Sequence, residues 1–249
     1  IIWSFTYAVG MAISGFIVNW YGVKTAFIID ALIFTIALIV FIRIDFVVKA
    51  SIATDKFFEL IKDGFRYIKN DKIILHLIFL HSSVGLTSFD ALITILAKNE
   101  YKYVISVPLA IGISNAVRAV ALMFGPIFIS KYVTKQNLHY LLIFQGIAII
   151  LWGLMQDNFY VSLIALFIVG LSTTTLWSFT YALLQDKCDE KYIGRVISYN
   201  DMFFMLSCIV TTLFIGLMAS LTSIDIITIL LGLGFLAFAF YYTRILKWI

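Results

Sequence analysis

Eight long apolar segments separated by charged connectors decide what this chain can become, and the bases in those connectors alternate. Of 18 Lys and Arg, 14 lie in four connectors, at 43–72, 131–135, 187–195 and 244–247. The connectors between these hold only Lys24, Lys98 and Lys102, and Arg118 alone sits inside an apolar segment. Lys and Arg are retained on the cytoplasmic side of a bilayer, so basic residues in every second loop predict a polytopic membrane protein. The expected spans are 1–20, 25–43, 73–97, 104–129, 138–155, 159–184, 195–220 and 224–246. Their lengths fall close to the roughly 20 residues that a helix needs to cross the hydrocarbon. Strand alternation is absent, which excludes an outer-membrane barrel. The expectation is an all-α fold of eight transmembrane helices in the cytoplasmic (inner) membrane, its C-terminus in the cytoplasm. Composition agrees: 62% of residues are hydrophobic and 13% charged, against about 25% charged in soluble domains. The net charge of +4 is read as loops facing the anionic lipid bilayer, not nucleic acid.

Short turns at 21–24, 156–158 and 221–223 imply antiparallel neighbours in a bundle. The connector 44–72 is long enough to separate two domains. Within it Phe57, Ile61, Phe65 and Ile68 recur at helical spacing among charges, as in an amphipathic helix lying on the membrane surface or the bundle. This divides the chain into 1–43, the linker 44–72, and a six-helix bundle at 73–249. Because the sequence opens inside a span, it is expected to be the C-terminal portion of a longer protein. The hexapeptide WSFTYA occurs at both 3–8 and 177–182. The expected topology runs the two copies in opposite directions, so it reads as coincidence. No metal-ligand cluster or phosphate-binding loop is present, and neither metal nor cofactor is expected. A membrane-embedded enzyme would need a nucleophile–base set that the scattered His and Asp do not supply.

Three stretches resemble the major facilitator superfamily, and within it the bacterial branch of enterobactin and drug exporters. They are "FFELIKDGFRYIKNDKIILHLIF" (57–79), "LLQDKCDEKYIGRVISYND" (183–201) and "VGMAISGFIVNWYGVKTAFIIDALIF" (9–34). On this register the segments are spans five to twelve, with four spans upstream. Between spans eight and nine the superfamily's acidic-basic loop is altered: Ser130 stands where it has an acid, while Lys131 and Lys135 keep bases. The resemblance implies a secondary transporter exporting a small amphipathic compound by alternating access, driven by protons. An importer of the same fold and an inactive truncated product are the alternatives.

A charge in hydrocarbon costs at least about 2.5–3.5 kcal/mol at mid-span, so each needs a reason. Arg118 lies at the centre of its span and Asp90 in the outer half of the preceding one. The pair is either a proton-coupling device or a structural ion pair, with Asn115, one turn away, holding the guanidinium. His81 is a candidate proton relay, and His76 a headgroup contact. The resemblance places spans seven and ten along the central cavity, implicating Thr87 and Ser88 on one side and Thr173, Thr174, Trp177 and Tyr181 on the other. Trp177 and Tyr181 are four apart and share a helix face. Lys131, Lys135, Asp186, Arg195 and Asp201 fall at cytoplasmic helix ends, as a salt-bridge gate or as solvated charges. Small residues at Gly10/Ser14, Ala8/Ala12, Gly112/Ala116 and Thr212/Gly216 mark expected close helix contacts.

Overall fold

The computed structural model describes residues 2–44 and 54–248, with the side chains of 54–57 outside the description. The described residues form helices α1 (Ile2–Ile42), α2 (Thr54–Asn70), α3 (Lys72–Ser82), α4 (Asp90–Asn99), α5 (Val107–Ile129), α6 (Leu138–Leu154), α7 (Phe159–Lys187), α8 (Ile193–Met218) and α9 (Ile224–Ile245). Phe57 of the expected amphipathic stripe lies outside the described side chains. Six helical segments are long and apolar enough to cross a membrane, and α6 is a shorter apolar helix. The chain is an all-α polytopic membrane protein.

Two spans depart from the expected outline. The turn expected at 21–24 is compressed into one residue, Gly22, whose φ of 81° interrupts α1. That conformation is open to glycine at little steric cost. Forty-one residues of unbroken helix would run about 61 Å, twice the apolar thickness of a bilayer, so the break lets α1 serve as two spans. The segment expected as one span at 73–97 is in turn divided into α3 and α4. Between them Ser83–Thr87 form a 3₁₀ turn, and Ser88 and Phe89 are non-helical. Four Ser or Thr and one Gly in the seven residues 82–88 explain the break, since hydroxyls compete for backbone groups and glycine disfavours helix.

The first half of α1 packs against α5, α5 against α7, and α6 against α7 and α9. Of the expected small-residue contacts, Gly112 and Ala8 pack closely and others do not. Gly10 and Gly216 face open space, whereas Gly15 and Gly112 meet backbone to backbone: a Cβ on Gly112 would lie 2.8 Å from the Met11 carbonyl oxygen. The buried face of α1 is Ser4, Ala8 and Gly15, a stripe on one side of the helix. No residue from 23 to 44 is buried. Helices α6 and α9 meet in the same manner, with Gly146 and Gly232 each at the other's carbonyl. Helix α2 is docked, not free. Its Gly64 abuts Arg195 and Tyr199, Ile68 is buried, and the Tyr199 hydroxyl donates to the Ile61 carbonyl at 3.0 Å. Ile61 and Phe65 themselves remain exposed.

Candidate functional site

The chemistry gathers around the broken span. Asp90 is the first residue of α4 and is exposed. Arg118 stands midway along α5 and is buried, 9% exposed. No ion pair joins them. Tyr7 of α1 stands at this junction instead, its hydroxyl 3.3 Å from Asp90 Oδ1 and 3.3 Å from Asn115 Oδ1. No hydrogen bond joins Asn115 to the guanidinium: its Oδ1, the atom that could accept one, faces Tyr7, and its amide nitrogen donates to the Ile111 carbonyl one turn back. Arg118 lies over the Phe89 ring, 5.4 Å from its centre, and its buried Nη1 has no hydrogen-bond partner. Phe89 therefore supplies a cation–π contact in place of a carboxylate. Tyr7 was not legible as a site residue: a tyrosine within a span has the same appearance as any packing or interfacial aromatic.

A second cluster lies on the other side of the break. His81 is fully buried and its Nδ1 is 2.8 Å from the Thr180 hydroxyl. That hydroxyl already donates to the Leu176 carbonyl, so a neutral His81 carries its proton on Nδ1 and leaves Nε2 as a buried acceptor with no partner. Trp177, Tyr181 and Phe204 surround the imidazole at 5.6–5.7 Å between ring centres. Trp177 and Tyr181 are stacked at 4.9 Å. The other hexapeptide copy does the same, with Trp3 and Tyr7 stacked at 5.1 Å. Each copy thus presents a Trp–Tyr stack to one half of the broken span, the first at Asp90 and the second at His81.

The remaining polar candidates divide. Thr87 is buried and donates to the Val84 carbonyl. Ser88 faces Cys208 of α8. Thr173 is buried with Ser172 against Gln145 of α6, both hydroxyls donating to its Oε1, while Thr174 is half-buried. Gln145 was missed; an amide in an otherwise apolar span was the available signal, since a polar group there needs partners. His76 meets the Tyr241 hydroxyl and lies beside Trp248.

The gate candidates lie at the end that carries the linker. Arg195 pairs with Asp63 of α2 at 3.9 Å. Lys131 sits over Tyr132, and the Lys135 carbonyl accepts from Tyr242. Asp201 accepts from Asn200 at 3.5 Å, and Asp186 is exposed near the end of α7. Further contacts at this end run through the linker. Tyr67 stacks on Tyr192 at 4.3 Å and accepts from the Asp189 amide. An open pocket of about 510 Å³ adjoins them, lined by Asp63, Arg66, Asp71 and Lys72 among others.

No curated protein and no solved structure matches the chain. The sequence model of the Major Facilitator Superfamily matches residues 1–212. The match covers most of the chain, and the chain belongs to the Major Facilitator Superfamily of secondary transporters.

Proposed function

We propose that this chain works as a proton-coupled exporter of a small amphipathic compound, of the drug or siderophore class, across the cytoplasmic membrane. The observation that carries the reading is the polar junction in the span region. An accessible carboxylate, Asp90, shares a phenol with Asn115, next to a buried guanidinium that has no anionic partner. Charges in a span are expensive and mark ion or substrate pathways, and broken spans bring such groups to mid-depth. Asp90 is the proton site in this reading. Thr87, Ser88, Thr173, Thr174, Trp177 and Tyr181 contribute to the substrate path, and His81 relays protons beside it. Residues 1–43 belong to an N-terminal bundle, 44–72 to the linker and 73–249 to a six-helix C-terminal bundle. The α1·α5 contact then becomes the seam that shifts during alternating access. The apolar, unburied stretch 23–44 is the side on which further spans of the N-terminal bundle pack.

The test uses bacterial cells lacking their own exporters that express the full gene, with ethidium and a catecholate siderophore as probes. Expression should lower accumulation of one probe at acid external pH, and Asp90→Asn should remove that effect. Higher accumulation on expression would establish import, and an unchanged pH dependence in Asp90→Asn would refute the coupling role.

A further inference from the structure

Tyr7 offers one hydrogen to two acceptors. Its hydroxyl is equally distant, at 3.3 Å, from Asp90 Oδ1 and Asn115 Oδ1. The Asn115 amide is oriented by the bond from its Nδ2 to the Ile111 carbonyl, so an oxygen, not a nitrogen, faces the phenol. A phenol donates one hydrogen and accepts on its oxygen. We propose that Tyr7 is a two-position switch that reports the protonation of Asp90 across the α1·α5 seam. This rests on the reading of Asp90 as the proton site.

The hydrogen-bond accounting differs between the two states. With Asp90 ionised, the phenol hydrogen goes to the carboxylate, the stronger charge-assisted acceptor, and Asn115 Oδ1 is left unmet. When a proton binds Asp90, an O–H bond forms on the carboxyl group. That group now donates to the phenol oxygen, and the phenol hydrogen turns to Asn115 Oδ1. A proton on α4 thereby reverses the bond between α4 and α1 and adds one between α1 and α5. The switch stands at the seam itself: Asn115 is one turn from Gly112, which abuts Gly15 and the Met11 carbonyl of α1. Trp3 stacks on the Tyr7 ring and limits its swing. Asp90 acts electrostatically on Tyr7 of α1, which also feels Arg118 of α5, and on the Cys208 thiol of α8. Of these, the Tyr7 hydroxyl alone is within hydrogen-bond distance of its carboxylate.

Infrared difference spectra of the full protein in lipid nanodiscs, taken across a pH titration, test the switch without a substrate. The wild type should show a carboxyl C=O band titrating together with a tyrosine C–O(H) band at one midpoint. Asp90→Asn should remove both changes. Tyr7→Phe should remove the tyrosine change while a carboxyl band still titrates at a shifted midpoint. Asn115→Ala should lower the midpoint, which the two bands still share, and alter the tyrosine band of the acid form alone. An Asp90-dependent carboxyl band with no tyrosine change overturns the switch and spares the proton site. The absence of any Asp90-dependent band overturns both.

Discussion

Gly112→Ala tests the seam between α1 and α5 directly. A methyl group at this position would lie 2.8 Å from the Met11 carbonyl oxygen and 2.9 Å from the Gly15 Cα, where ordinary contact begins at 3.4 Å. Both obstacles are backbone atoms of a helix, so neither gives way by a rotamer change. Relief requires α1 to move off α5 by at least about 0.5 Å, which loosens the packing of Ser4 and Ala8 along the same stripe. Overpacking of this kind costs about 1–3 kcal/mol. The intrinsic helix gain of alanine over glycine, about 1 kcal/mol, works in the opposite direction. Gly10→Ala isolates that gain, because nothing lies within 4 Å of its added Cβ. Reversible unfolding of each variant in mixed detergent–SDS micelles should place Gly112→Ala below Gly10→Ala by about 1–3 kcal/mol. Equal stabilities would refute the close approach of the two helices, and with it the seam.

Other perturbations separate further parts of the argument. Arg118→Met should leave stability unchanged or raise it by about 1–4 kcal/mol, because it removes a buried charge that lacks an anionic partner; it should also abolish pH-driven transport of the probe. Tyr101, in the connector after α4, is buried and donates to Ser162, and burial pushes its pKa up to about 12. Since the raised value favours the neutral folded form, its contribution is intact below pH 10 and is lost as the pH rises from about 10 to about 12. Tyr101→Phe should flatten that part of a stability–pH curve, by on the order of 2–3 kcal/mol. Gly64→Val should detach the linker helix, because an added Cβ would lie 2.9 Å from the Arg195 Cβ; faster proteolysis within 58–70 would report it.

The spans were legible because hydropathy and length are enough to identify a membrane helix, and the positions of α5 to α9 follow directly from their apolar runs. The break after Ser82 was not, although the hydroxyls and the glycine of 82–88 were visible. In a span such residues also serve helix contacts, and nothing local tells the two uses apart. At the site, Asp90 and Arg118 stood out by their charge alone. Their relation did not, because it depends on Tyr7, which is 83 residues from Asp90 and chemically unremarked among many aromatics. The Asp63–Arg195 pair was hidden in the same way: the two are far apart in sequence, and only the docking of α2 brings Asp63 into reach.

The repeated hexapeptide illustrates a different limit. Sequence direction argued against any common role, yet the i, i+4 stack needs only a helix and not an orientation. Both copies form it.

The single-residue joint at Gly22 restricts the motions open to α1. Trp20 and Tyr21 immediately precede it and are each 68% exposed, and such aromatics anchor at the boundary between headgroups and hydrocarbon. A corner with no loop to pay out couples the two halves of α1, so the first half does not slide along the bilayer normal independently of the second. Tilting about the corner is the motion left to the first half alone, and it would swing the Tyr7 end on a lever about 22 Å long, the rise of the fifteen residues between Tyr7 and Gly22.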